Sequence, residues 1–317
     1  MFYCLMARIY LLCILFCLSG LTSIGQDSLR YHALSLRHDN DINFFTDCYF
    51  TSGVELQWYS PAFKHSPFNY ILLPSPKGTY TVYAVMLTHN MYTPKRIFTS
   101  ALVPYDHPYS SYLLFGQLKE SYNSIKKNKL TSSFQIGFIG PLAGGDAIQT
   151  TLHKNISIAD PAEGWQHQIQ NDVCLQYAAG IEHGLVVRQH VELLSHIRFE
   201  LGIPRTQAVL GLMLRVGEMM SYFKGPETLG LKSLQLYGFT EVNLHLVNYN
   251  AVLEGGFFNE DNAHVLYNVN KIYGHFRYGI TAVYHQFSMR YGVNVNSRTF
   301  STGLWHHWSE LTFVVGF

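Results

Sequence analysis

Residues 38–53 read HDNDINFFTDCYFTSG and bring Asn40, Asp41 and Thr51 together in a chain that is otherwise sparsely charged. Carboxylate and amide oxygens at this density suit a hard cation, or water held for hydrolysis. Asp39-x-Asp41-x-Asn43 begins like a calcium loop. It fails as an EF-hand, because Phe44 stands where glycine is needed and Phe50 where the bidentate glutamate belongs. Taken alone, the stretch is more simply a polar hairpin.

A second stretch, GPLAGGDAIQTTLHKNISIADPAEGWQHQI at 140–169, spaces Gln149 and His153 by four, so a short helix presents both on one face. A neutral imidazole is the usual general base for ester hydrolysis near neutral pH. Asp160 and Glu163 follow closely enough to bind a metal or orient that ring. His153 is also one of sixteen histidines, and a lone histidine on a connection is ordinarily a surface residue. It gains weight only if the fold puts it beside Asn40 and Asp41. Lys95 and Arg96, in YTPKRI at 92–97, are suited to phosphate as point charge and fork, although basic surface residues are common. Other chemistries are missing: there is no GxSxG elbow, HExxH, Walker loop or CxxC. HVELLSH at 190–196 lacks zinc-protease spacing and alternates like a strand.

What must position these residues follows from composition and pattern. The 317 residues carry a net charge of +1, which argues against nucleic acid as a partner, since that needs a basic stripe. Arg8 precedes the apolar run IYLLCILFCLSGL, and Ser23-Ile24-Gly25 follows, with small residues at 23 and 25. This is a secretory signal over 1–25, too short and wrongly flanked for a membrane helix, with the mature domain spanning 26–317. Leu12 and Phe16 precede Cys13 and Cys17, against a lipoprotein signal. Cys48 and Cys174 remain after cleavage, and two free thiols is the plainer reading.

Beyond residue 26 no apolar run approaches the ~20 residues of a membrane helix. Alternation recurs instead. Val173, Leu175, Tyr177, Ala179 and Ile181 share one face, as do Phe134, Ile136 and Phe138, and again Leu210, Leu212, Leu214 and Val216. Period two in blocks of about ten means strands with one apolar and one polar face. The chain ends ELTFVVGF, an aromatic terminus after alternating apolar residues, which resembles the assembly signal of bacterial outer-membrane barrels. A sheet in lipid must close on itself. The expected fold is all-β, a transmembrane antiparallel barrel of about twelve strands with a short helix in an extracellular connection. The strands are placed at 30–40, 49–60, 79–92, 109–120, 130–140, 170–182, 189–201, 206–217, 232–247, 271–283, 284–293 and 304–317. With both termini in the periplasm, the connections 41–48, 93–108, 141–169 and 294–303 lie outside the cell. Strand parity aims Asn40 toward lipid, a costly place for an amide unless a polar site is cut into the wall.

Together these segments resemble the lipid A 3'-O-deacylase family of Gram-negative outer membranes. The resemblance is carried by DNDIN (39–43), TDCYFTSG (46–53), YTPKRI, PYDHPYSSYLLFG (104–116), GFIGPLAGG (137–145), QTTLH (149–153), GWQHQIQND (164–172) and SRTFSTGLWHHWSELTF (297–313). It implies calcium-dependent hydrolysis of the ester that carries the 3'-acyloxyacyl group of lipid A, at the outer end of the barrel wall. The family's Asn-Asp pair falls on Asn40 and Asp41, its threonine on Thr51, its glutamine on Gln149 and its catalytic histidine on His153. Its acidic residue falls on Asp160 or Glu163, and Lys95 is the nearest match to its oxyanion lysine. The expected partners are lipopolysaccharide and the membrane, with a monomer as the default. The rival expectations are an outer-membrane phospholipase or esterase, and a non-enzymatic narrow porin.

Overall fold

The structure, a computed structural model, describes residues 31–44, 46–155, 162–228 and 234–317. The expected signal segment and Asp160 lie outside them. Twelve antiparallel strands close into one barrel: β1 (Ala33–Asn40), β2 (Tyr49–Tyr59), β3 (Tyr80–Thr93), β4 (Ser110–Asn123), β5 (Asn128–Ile139), β6 (Asp172–Val187), β7 (Val191–Gly202), β8 (Arg205–Glu218), β9 (Gln235–Asn250), β10 (Ile272–Tyr284), β11 (Phe287–Asn296) and β12 (His306–Gly316). Each strand pairs with its sequence neighbours, and β12 closes on β1 with Ala33 opposite Gly316 and Asn40 opposite Ser309. Closure satisfies every ladder edge, which a sheet in hydrocarbon requires.

The alternating positions divide as the pattern demands. Val173, Leu175 and Ile181 of β6 are exposed on the outer surface, whereas Asp172, Cys174 and Gln176 are buried. Leu210, Leu212, Leu214 and Val216 of β8 likewise face outward. Inside, ion pairs cross the lumen at two levels. Nearer the β1–β2 turn, Arg37 meets Asp39 at 2.8 Å and Glu310 at 3.2 Å, and Arg277 joins Glu310 to Glu241. Toward the other end, Arg215 bridges Glu192 at 2.7 Å and Glu227 at 3.2 Å. Buried charges are tolerated when paired, and these pairings fill the interior with side chains.

The connections at 41–48, 94–109, 140–171 and 297–305 share one end of the barrel, within a few residues of the expected bounds. Two more reach that end without having been anticipated. One is the tight β7–β8 turn at residues 203 and 204, and the other is the β9–β10 connection at 251–271, which opens with the short helix α2 (Ala251–Glu254). This second connection is tied down by the Asp172 carboxylate, which accepts from the Phe258 N–H at 2.6 Å, and by Asn262, which accepts from Gln170 N–H at 2.8 Å. The opposite end holds a further surprise in residues 60–79. Gln117, on the outward face of β4 with Phe115, donates to the Phe63 carbonyl at 3.2 Å and to Asn69 at 3.0 Å. This segment therefore lies against the outside of the wall and covers polar residues there. Cys48 and Cys174 are free thiols, as read from the sequence.

Candidate active site

The helix α1 (Gly145–Asn155) is held against the outer face of the barrel by the residues that lead into it. Gly140 adopts φ 101°, open to glycine, and its N–H donates to the Ser111 carbonyl at 2.8 Å. His89 of β3 bonds the Ala143 carbonyl at 3.0 Å. At Gly145 a Cβ would stand 2.6 Å from the Ser111 side chain and 2.8 Å from the Trp165 ring, so only glycine lets the helix approach this closely. His89 and Ser111 alternate with their strands in step with the exposed Leu87 and Phe115. The helix thus sits on the lipid-facing side of the wall rather than in the lumen.

One carboxylate gathers the face that α1 presents. His153 Nε2 lies 3.1 Å from Asp47 Oδ2, and Gln149 Nε2 donates to Asp47 Oδ1 at 3.1 Å. Gln149 is fully buried, and its Oε1 accepts from the Trp165 indole N–H at 2.7 Å. An indole nitrogen only donates, which fixes the orientation of the amide and turns its NH₂ toward Asp47. An ionised Asp47 only accepts, which holds the proton on Nε2 of His153 and places the basic lone pair on Nδ1. Trp165, Gln149, Asp47 and His153 therefore form a directional hydrogen-bond chain in which a carboxylate orients an imidazole, an arrangement suited to a general base.

The β1–β2 turn meets this chain. The Thr51 and Thr93 hydroxyls are 2.8 Å apart, and Thr93 donates to the Asp47 carbonyl at 3.2 Å. Asn40 donates to the Thr51 carbonyl at 3.1 Å and accepts from the Ile42 N–H at 2.8 Å, so the amide aimed at the wall is satisfied locally. Asp41 is 2% exposed, with Oδ2 accepting from the Thr46 hydroxyl at 2.9 Å and the Cys48 N–H at 3.1 Å. Burial pushes its carboxyl up to about 8; the Cys48 N–H opposes that shift and the nearby charge of Asp47 adds to it. A cation beside Asp41 would remove the cost of ionising it, so this residue fits a hard metal.

Asn40, Asp41, Thr51, Gln149 and His153 thus share one patch of outer wall. The other expected site residues are not joined to it. Lys95 and Arg96 are exposed on the β3–β4 connection, where the Lys95 N–H donates to Asp106 at 2.8 Å. Neither side chain is bonded to the His153 cluster among the described residues. Glu163 is exposed as well, and its backbone N–H donates to the Ile97 carbonyl at 2.8 Å. Sequence reasoning missed Asp47, Thr93 and Trp165. Asp47 lies inside the acidic stretch at 38–53, but nothing in its spacing points to a partner 102 residues away.

The family model described as outer membrane protein LpxR matches residues 10–317. Among solved structures, LpxR from Salmonella typhimurium is similar with a TM-score of 0.73 at 18% identity, covering 90% of this chain and 100% of its own. The KdgM porin matches at a TM-score of 0.40 and 6% identity, over 90% of this chain and 99% of its own. The translocator domain of the autotransporter NalP from Neisseria meningitidis matches at 0.41 and 9%, over 98% of this chain and 96% of its own. No curated protein sequence matches.

Proposed function

The chain belongs to the outer membrane protein LpxR family, and on that premise we propose that it is a calcium-dependent lipid A 3'-O-deacylase acting at the extracellular face of the outer membrane. The observation that carries this reading is the chain from Trp165 through Gln149 and Asp47 to His153, beside a buried Asp41, on the lipid-facing side of the wall. A hydrolase for a membrane-embedded ester needs its base on that side. A lumenal site would serve a soluble substrate.

In the reaction, His153 accepts a proton from water at Nδ1, and the water oxygen attacks the acyl carbonyl carbon. Asp47 holds the ring and stabilises the imidazolium that forms. Collapse of the tetrahedral intermediate breaks the bond to the sugar oxygen, which takes the proton back from His153. The products are the acyloxyacyl chain as a free carboxylic acid and a 3'-hydroxyl group on the sugar. Asp41, with Asp160 or Glu163, would hold calcium, whose contribution is to polarise the carbonyl and stabilise the oxyanion. Asn40 and Thr51 fix the turn that carries Asp41 and Asp47. Lys95 and Arg96, on the adjoining connection, would meet the substrate's phosphates. Leu142, Ile148 and Leu152 are exposed apolar residues on and before α1, suited to lie along an acyl chain.

The test uses the purified barrel with lipid A and, separately, phosphatidylethanolamine in detergent, following fatty-acid release by mass spectrometry. Release from lipid A alone, lost on calcium chelation and lost in His153→Ala with heat-modifiable migration kept, is the expected result. Release from the phospholipid instead would make the protein a phospholipase. No release from either would return the barrel to a non-enzymatic role.

A further inference from the structure

Cys48 and His306 have no part in the hydrolysis just described, yet each brings a donor atom to Asp41. One oxygen of Asp41, the Cys48 sulfur and one ring nitrogen of His306 all lie within 4.8 Å of one another. Asp41 and His306 are buried and Cys48 is partly buried. Carboxylate, thiolate and imidazole together make a poor set for calcium, which takes oxygen ligands almost exclusively. They suit a borderline metal such as zinc, bound by three protein groups with a fourth position open.

The surroundings of these donors are those of a built site. His306 Nε2 lies 3.0 Å from the Phe50 carbonyl, which holds a proton there and leaves the Nδ1 lone pair to coordinate. Its ring is stacked on Trp308 at 5.5 Å and meets Tyr49 edge-on at 5.8 Å, so its plane is fixed. The Cys48 N–H already orients the Asp41 carboxylate at 3.1 Å. Drawing the three donors to bonds of about 2.0–2.3 Å asks for shifts on the order of an ångström, within the reach of side-chain rotation.

We propose that Asp41, Cys48 and His306 form a second cation site, selective for a borderline divalent metal of the zinc class, whose occupation takes Asp41 away from the hydrolytic site. The inhibitory consequence rests on the deacylase reading; the binding site does not. Calcium and zinc would then compete for one carboxylate, and the softer ion would act as an off switch. When zinc binds, the Cys48 thiol loses its proton to solvent and its sulfur forms the metal bond; no oxidant or reductant is needed.

The experiment titrates the purified, calcium-free barrel with Co2+ as a spectroscopic substitute for zinc. Wild type is expected to give a thiolate-to-cobalt charge-transfer band at one equivalent, displaced by added zinc. Cys48→Ser should lose the band, and His306→Gln should weaken binding by more than about 100-fold. Both variants must keep heat-modifiable migration, which shows that the barrel has formed. In lipid A assays zinc should inhibit wild type at concentrations that leave Cys48→Ser active. Absence of a thiolate band in a folded wild-type barrel overturns the site whatever the activity shows. A band that persists in Cys48→Ser assigns the metal elsewhere and overturns it too. A normal band in a protein that releases no acyl chain leaves the site standing and overturns the deacylase reading instead.

Discussion

Asp47 is the residue on which the proposed chemistry turns, because it bonds both the proposed base and the amide that α1 buries beneath it. Asp47→Asn keeps the shape but offers an NH₂ where an acceptor is needed, so His153 takes the wrong tautomer. We expect kcat on lipid A to fall by about 10²–10⁴ with KM little changed. Activity within about twofold of wild type would remove Asp47 from the mechanism. Trp165→Phe deletes the donor that fixes Gln149 and trims the ring packed against Tyr109, and its expected cost is smaller, roughly tenfold in kcat, since the Gln149 amide can still reach Asp47 in one of its two orientations. At this scale the sequence was partly legible. Gln149 and His153 announced themselves by a spacing of four, which a helix converts into adjacency. Asp47 and Trp165 did not, because their contacts join distant parts of the chain, and no local period encodes such a contact.

At the scale of elements, the site depends on one helix held against one wall. Gly145→Val puts branched carbons where Ser111 and Trp165 already stand. The expected result is a barrel that still shifts on heating and keeps its sheet circular dichroism, with deacylation lowered by more than about tenfold as α1 lifts away. Retained activity would mean that the helix is not what positions His153. The strands themselves were readable to within a few residues, because a wall between lipid and a polar lumen forces period two on every strand. The β9–β10 connection and residues 60–79 were not. Both are irregular segments packed through scattered backbone and side-chain bonds, such as Asn69 to Gln117, that leave no periodic trace.

The whole molecule supplies a rigid frame, and its lumen is part of that rigidity. Glu310 is buried between Arg37 and Arg277. Glu310→Ala leaves Arg37 with Asp39 and Arg277 with Glu241, each cation short of one charged partner, at a cost of roughly 1.5–3 kcal/mol. The temperature at which the folded band converts on gels should drop, while deacylation at low temperature persists, because the Glu310 ion pairs lie inside the barrel and the His153 chain on its outer face. An unchanged transition would show that water already screens this network. The closed architecture was implied by the terminal aromatic and the apolar alternation. The filling of the lumen was not, since Arg37, Glu310 and Arg277 lie on different strands and meet only after closure. The central claim is that Asp47 and His153, brought together on the lipid-facing wall, cleave the 3'-linked acyl group. Its most direct test is the mass spectrum of lipid A from Gram-negative cells expressing the wild-type chain or His153→Ala. The account predicts loss of the 3'-acyloxyacyl mass with wild type and unaltered lipid A with the variant, both barrels being present in the outer membrane. The same shortened lipid A from cells carrying His153→Ala would contradict it.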